Sequence, residues 1–320
     1  MVVPAHRASL TIGVVGLGPV GCVLAVHLIE AGATVVACDI DHLKITTMQK
    51  NGIQLVHAIQ KQVYLHETCT SVSEMMTRPL DLVTIAVKAP YLTTVVKELA
   101  EYRERDFFLL SAQNGIDNER ELARVFGTHR TLRMVINYAG NMLDRSTVNV
   151  GFFNPPNYLA PLDSRGTSLA ERVVALLNQT GLTTKIPNQL AKHVWEKAML
   201  NASLAPVCAI AGKTMQEIMG HTSGRHLVIN ILQEALQVAT AEGIHYSDDF
   251  MDHCLNYLDL GGGHRPSMLV DLDNEHPTEI NYLNGKIVEY GKKHGIATPL
   301  NQTITTLIQL LDQPFRGEGD

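Results

Sequence analysis

The chain has 320 residues, 45% of them hydrophobic and 18% charged, which is enough apolar material for about two packed domains and excludes a disordered composition. Lys and Arg number 26 against 32 Asp and Glu, so the net charge is −6, and the lack of any basic block speaks against a nucleic-acid footprint. The five cysteines (Cys22, Cys38, Cys69, Cys208, Cys254) are odd in number and scattered through apolar runs, and the 14 histidines show no HExxH spacing, so reduced core thiols of a cytoplasmic protein are expected and a metal site is not.

Residues 1–9 read as a short leader with no core of its own. Residues 10–39 then read strand, glycine turn, helix, strand, acid. The turn is Gly16-Leu17-Gly18-Pro19-Val20-Gly21. In this pattern Gly16 permits the tight turn, Gly18 lets a pyrophosphate approach the backbone, and Gly21 lets the helix lie close on the strand. The phosphates would sit at the helix N-terminus. Asp39 follows Gly21 by 18 residues, at the end of the second strand, where a carboxylate accepts hydrogen bonds from ribose hydroxyls and repels a 2′-phosphate. The expected cofactor is therefore NAD rather than NADP. Residues 12–29 are almost free of charge and follow His6 and Arg7, as in a signal peptide or membrane span, but Gly13, Gly16, Gly18, Pro19 and Gly21 suit a turn better.

A short helix is expected over residues 41–50, stopped by Asn51-Gly52, and a β excursion over residues 53–66. Residues 81–88 and 107–114 are short apolar runs ending in a polar residue, the profile of buried parallel strands, with a helix over residues 91–102 between them. Strands alternating with helices imply an α/β fold with a Rossmann-type doubly wound parallel sheet. Ligands bind at the carboxyl ends of such strands. Asp39, Lys88 and Asn114 stand at three of them; a solvated lysine and an Asn-Gly turn former are the plainer readings of the last two.

A helix over residues 117–126 is capped by Gly127, and residues 131–143 and 147–162 read as two strands, the second interrupted at Asn154-Pro155-Pro156-Asn157. Ser168 and Glu171 read as a capping box opening a helix that stops at Gly181, and a last strand is expected over residues 182–186. Pro187-Asn188 is the proposed boundary, giving a dinucleotide domain over 1–187 and an all-helical C-terminal domain over 188–320. Its helices are expected over 189–211, 223–242, 247–259, 267–273, 278–294 and 299–311. In the first, Lys197, Asn201 and Ala205 share a face beside an apolar stripe of Leu190, Val194, Ala198 and Ala202, and Pro206 should kink the helix. A snorkelling surface lysine is the plain reading of Lys197.

In this order, the glycine turn, Lys88, Asn114-Gly115, Trp195-Glu196-Lys197 with Asn201 and Pro206, Ser267-Met268-Leu269 and the run from Thr278-Glu279 to Asn284-Gly285 resemble the ketopantoate reductases (2-dehydropantoate 2-reductases) over nearly the whole chain. The resemblance implies a helical domain packed on a Rossmann domain, with substrate in the cleft. It implies hydride transfer from a nicotinamide to a 2-oxo acid, giving the (R)-2-hydroxy acid. It casts Lys197 as the catalytic proton donor, Glu279 as the glutamate that holds it, Ser267 as binding the substrate carboxylate, and Asn114 and Asn201 as orienting substrate. Cofactor contacts would come from Gly16, Leu17, Gly18, Pro19, Val20, Gly21, Asp39, Lys88 and Asn114. The partner implied is a small 2-oxo acid, with no membrane or nucleic acid, and a homodimer is allowed.

The chain departs from the family pattern twice. Ala205 stands where a second asparagine is common, so of the two substrates left open, 2-dehydropantoate and a related branched or aromatic 2-oxo acid, the plainer acid fits this position better. Cys38-Asp39-Ile40-Asp41 offers two acids where NADPH-using members have an arginine. Both departures resemble the NAD-dependent D-2-hydroxy-acid dehydrogenase branch. A hydroxyacyl-CoA or sugar-acid dehydrogenase of similar plan, and a nicotinamide-sensing protein without chemistry, remain alternatives; no evident His/Glu pair supports the first, and intact Lys197 and Glu279 oppose the second. Residues 261–263, all glycine, read either as a flexible segment that delivers Ser267 or as an ordinary loop, with Arg265 available to a carboxylate.

Overall fold

The computed structural model describes residues 9–312, so all of the expected leader except Ser9 lies outside the described residues. Contacts divide the chain into two units, Met1–Gln113 with Asn118–Asn188, and Asn114–Asp117 with Gln189–Asp320. The segment Asn114–Asp117, assigned by sequence to the first domain, thus groups with the helices.

The first unit opens β1 (Thr11–Val15), α1 (Pro19–Glu30), β2 (Thr34–Cys38), α2 (His42–Asn51), β3 (Ile53–His57), β4 (Lys61–Val63), β5 (Glu67–Cys69), α3 (Val72–Met75) and β6 (Leu82–Ile85). It continues α4 (Leu92–Ala100), β7 (Phe108–Ser111), α5 (Asn118–Phe126), β8 (Thr131–Val135), β9 (Tyr138–Met142), β10 (Thr147–Phe153), β11 (Asn157–Pro161), α6 (Thr167–Gln179) and β12 (Thr184–Lys185). The main sheet runs β12-β11-β8-β7-β6-β1-β2-β5. Its pairs from β8 to β5 are parallel, as the sequence implied, while β11 runs antiparallel to β8.

A second sheet, β4-β3-β10-β9, was not expected as a separate layer. It packs against α1, which explains why Cys22 to Leu28 are buried all round and why residues 12–29 read like a membrane span. The two long strands expected over 131–143 and 147–162 are each broken in two, and in each case the chain passes from one sheet to the other. Asn157, fully buried, fixes both breaks: its Oδ1 accepts the Asn137 amide at 2.8 Å, and Asn137 Nδ2 donates to the Pro156 carbonyl at 2.6 Å. The prolines at 155 and 156 have no N–H to give a ladder. The capping box assigned to Ser168 and Glu171 is absent; α6 starts at Thr167 behind Gly166, with no side-chain cap.

The second unit contains α7 (Leu190–Ala211), α8 (Met215–Gly220), α9 (Thr222–Ala241), α10 (Phe250–Asp259), α11 (Ser267–Asp273), α12 (Asn284–His294) and α13 (Pro299–Asp312). The single helix expected over 278–294 is a short 3-10 turn at Ile280–Tyr282 followed by α12, because Leu283 leaves helical geometry. α8, which sequence reasoning missed, carries a true capping box between Thr214 and Glu217. α7 runs through Pro206 to a left-handed Gly212. Among the described residues no helix is long and apolar enough to cross a membrane.

Candidate active site

In the first unit the end of β1 passes into the glycine turn. Gly16 has φ +92 and donates its amide to the Cys38 carbonyl at 2.8 Å, and a Cβ there would stand 2.7 Å from the Val87 nitrogen. At Gly21 a Cβ would fall 1.9 Å from the Gly16 carbonyl oxygen, so helix and turn can approach only without a side chain. Gly18, in contrast, has nothing within 4 Å of that position. It is the N-cap of α1 and makes no side-chain cap, with Pro19 behind it in the first turn. An open approach to the first turn of a helix is what a pyrophosphate requires, so these residues fit a dinucleotide.

Asp39 directly follows β2, and its carboxylate already has company. Oδ2 accepts from Leu17 N at 2.8 Å and pairs with Lys44 Nζ at 3.1 Å, while Oδ1 accepts from Asp41 N at 3.0 Å. Asp41 caps α2 through Lys44 N, and its other oxygen lies 4.0 Å from Arg145 Nε. Sequence reasoning missed these two cations, one a turn into α2 and one far along the chain. Lys88 is half-buried three residues past β6, at the start of a 3-10 turn. Beneath these strand ends lies another feature missed from sequence, a buried polar set in which Arg133 NH1 donates to Ser111 Oγ at 2.8 Å and Gln113 Nε2 donates to the Val87 carbonyl at 3.0 Å.

In the second unit Lys197, Asn201 and Ala205 lie half-buried along α7, while Val194, Ala198 and Ala202 are buried on the neighbouring stripe, as their spacing implied. The Lys197 ammonium stands 6.0 Å from the centre of the Tyr257 ring on α10. Burial lowers its pKa from 10.5 to about 8, against the opposing pull of the Glu196 carboxylate. Glu196, held by His193 and by His253, is the acid whose field acts on Lys197. His264 feels the lysine in return: burial, and then the Lys197 charge, lower its pKa. It follows the glycine run and carried no sequence signal.

Glu279 is 9% exposed and accepts from Asn114 Nδ2 at 3.2 Å, so two of the expected residues meet directly. Gly115 beside it is packing as well as turn, since a Cβ there would lie 2.8 Å from the Tyr282 carbonyl oxygen. Next to Glu279, Thr278 gives both its amide and its hydroxyl to the buried Asp312, at 3.1 and 2.8 Å. Ser267 is exposed at the first turn of α11, which packs along α7. The glycine run is tied down, with Gly262 O and His264 O accepting the Gln216 and Met215 amides at 2.9 and 3.1 Å. Arg265 pairs with Asp273. No group of three or more metal-binding side chains occurs among the described residues, and all five cysteines are buried and free.

Comparison with known proteins gives the same outline. The family model described as "Ketopantoate reductase PanE/ApbA" matches residues 12–162, and its C-terminal counterpart, "Ketopantoate reductase PanE/ApbA C terminal", matches residues 189–312. A 2-dehydropantoate 2-reductase of Archaeoglobus fulgidus is 29% identical over 249 residues, covering 78% of this chain and 81% of its own. One from Pyrococcus abyssi is 24% identical over 310 residues, 94% of this chain and 97% of its own. Among solved structures, D-mandelate dehydrogenase with NADH and anilino(oxo)acetate superposes with a TM-score of 0.86 at 22% identity, covering 96% of this chain and 99% of the other. A PanE/ApbA family ketopantoate reductase from Ralstonia eutropha JMP134 gives 0.85 at 22% identity, with the same coverage. Two matched models that between them take in both the glycine turn and the lysine helix leave one assignment: the chain belongs to the ketopantoate reductase family.

Proposed function

We propose that this protein is an oxidoreductase that reduces a small 2-oxo acid to the (R)-2-hydroxy acid, using NADH in preference to NADPH. When bound, the nicotinamide supplies the hydride. The first unit holds the dinucleotide through Gly16, Leu17, Gly18, Pro19, Val20 and Gly21 at the α1 N-terminus, through Asp39 and Lys88, and with Asn114. Lys197 delivers a proton from Nζ to the substrate carbonyl oxygen and stabilises the negative charge that builds there. Ser267 binds the substrate carboxylate, Asn114 and Asn201 orient the keto group, and Glu279 fixes Asn114. The observation that carries this reading is the half-buried Lys197, lowered to about 8 on a face shared with Asn201. Such an amine is charged at neutral pH yet acidic enough to give its proton away.

Two residues set the finer choices. Ala205 presents a methyl one turn beyond Asn201, which suits an aliphatic or aromatic substituent better than a hydroxyl. The paired acids Asp39 and Asp41 disfavour a 2′-phosphate, but Lys44 and Arg145 offset them, so the preference for NADH should be moderate. Five buried free thiols suit the reducing cytoplasm.

The test is a set of initial rates with NADH and NADPH over ketopantoate, 2-oxoisovalerate and phenylglyoxylate, for the native chain and Lys197→Ala. NADH with one of the latter two acids should give the highest kcat/KM, and Lys197→Ala should lose about 100-fold or more in kcat. Retention of most turnover by Lys197→Ala would remove the mechanism, and equal use of both cofactors would remove the role given to Asp39.

A further inference from the structure

Pro206 lies inside α7 and has no N–H, so the carbonyl of Ala202, four residues earlier, loses the donor that every regular helix supplies. The proline ring also crowds that carbonyl away from the helix. Ala202 is 0% exposed, so bulk water is no substitute. The missing donor comes from another helix. Asn284, the first residue of α12, places Nδ2 at 3.0 Å from the Ala202 oxygen.

The same Nδ2 gives its second hydrogen to Asn301 Oδ1 on α13, also at 3.0 Å. Asn301 in turn donates from Nδ2 to Glu234 Oε2 at 2.8 Å and to the Ile231 carbonyl at 3.2 Å, both on α9. Glu234 closes the set by accepting the Leu300 and Asn301 amides at 2.9 and 3.0 Å. Both asparagines are 0% exposed, and the chain of donors leaves each amide only one orientation. Asn284 Oδ1 is left without a partner among the described residues. An apolar side chain would avoid that orphan acceptor, so packing alone does not account for an asparagine here.

We propose that Asn284 is a positioning residue for the reductase reaction: its side-chain amide replaces the hydrogen bond that Pro206 removes, and so fixes the part of α7 that carries Lys197 and Asn201. The inference rests on the role given to Lys197 above. Ala202 adjoins Asn201, and Lys197 precedes it by five residues, so slack at this carbonyl turns both side chains about the helix axis. A misplacement of about 1 Å can cost on the order of 100-fold in rate.

The decisive comparison uses the full chain with Asn284→Ala, Pro206→Ala and the two combined, since alanine at 206 again offers its own amide to Ala202. With NADH and the preferred 2-oxo acid, Asn284→Ala should lower kcat about tenfold or more, with KM for NADH held within about twofold. In the double variant kcat should return to within about threefold of Pro206→Ala alone, a coupling that independent sites do not show. A second readout needs no turnover: acetylation of the Lys197 amine against pH, followed by peptide mass spectrometry, should titrate near pH 8 in the native chain, shift in Asn284→Ala and return in the double variant. Unchanged kcat and lysine titration alongside a lower urea midpoint would reduce Asn284 to a packing role and overturn the proposal, as would an equal loss of kcat in both backgrounds. Should Asn284→Ala not fold, Asn301→Ala removes the support one link away; at least a threefold loss of kcat is expected there, and none would overturn the proposal. If the native chain reduced no 2-oxo acid, the functional reading would fall, while the titration would still decide whether Asn284 sets the environment of Lys197.

Discussion

In the proposed reaction Lys197 gives up a proton in reduction and takes one in the reverse direction. Because burial brings its pKa down from 10.5 to about 8, kcat for reduction should hold below pH 8 and fall tenfold per unit above it, while oxidation rises through the same range. A reduction rate that stays level to pH 10 would show that this ammonium is not the donor. His27 answers to the same physics with a consequence for stability. It is 1% exposed on α1, its Nδ1 lies 3.0 Å from Thr180 Oγ1, and burial, aided by the Lys61 charge, lowers its pKa from 6.5 to about 4. Between those values the unfolded chain binds a proton that the folded chain refuses. Stability is therefore unaffected above pH 6.5, falls as pH drops towards 4, and levels off below, by about 3 kcal/mol in full. Urea unfolding at pH 7 and 4.5 should show His27→Gln losing about 2 kcal/mol less than the native chain over this interval, and equal losses would refute the assignment. Of these two bases only Lys197 was picked out, and by the family resemblance, since its helical spacing alone read as a surface lysine; His27 sat in an apolar run with no sign of its partner 153 residues away.

The glycine turn shows that identical residues in one motif are required for different reasons, and the difference can be measured. At Gly21 a Cβ meets backbone at 1.9 Å, an overlap that no rotamer relieves, whereas at Gly18 there is open space and an ordinary negative φ of −71. Gly21→Ala should therefore destabilise the ligand-free protein by about 2 kcal/mol or more. Gly18→Ala should stay within about 1 kcal/mol of native stability. Its effect should appear in NADH binding, as a dissociation constant raised about tenfold by a methyl placed where the proposed site takes the phosphates. If Gly18→Ala left NADH affinity unchanged, the pyrophosphate would have to lie elsewhere. The motif was legible because strand, turn, helix and acid are all local in sequence. Capping boxes were less so: Ser168 and Glu171 have the right spacing but fall inside α6, while Thr214 and Glu217 satisfy it in fact. Spacing names a candidate; only the position at which the chain enters the helix decides it. The second sheet escaped for a related reason. Its strands are three to seven residues long and come from two distant stretches, so residues 53–66 read as a loose excursion and β9 and β10 as parts of two longer strands.

The alternation of strands and helices in the first half and the loss of strand signals after residue 188 made the large division of the molecule readable, since periodicity reports which face of an element is buried. Periodicity cannot report a short segment that belongs to the other unit. Residues 114–117 precede α5 and look like its lead-in, yet they supply the helical unit with a core residue and a clamp. Ile116, 2% exposed, packs in the helical core and donates its amide to the Tyr282 carbonyl at 2.9 Å. Asp117 accepts from Tyr290 Oη at 2.9 Å and pairs with Lys286 at 3.3 Å. Tyr290 in turn lies edge-on to Trp195, 5.3 Å between ring centres, and Trp195 is the single tryptophan of the chain. Its fluorescence therefore reports whether this corner is complete. A chain of residues 189–320 alone lacks the segment, so its Trp195 emission should be shifted to the red and its urea midpoint lowered. Joining residues 114–117 to its N-terminus through a flexible glycine linker should recover part of both, because Ile116 and Asp117 regain their partners. Emission in the bare fragment equal to that of the full chain would mean that the helical unit is complete without them, and that the four residues are no more than the passage from β7 to α5.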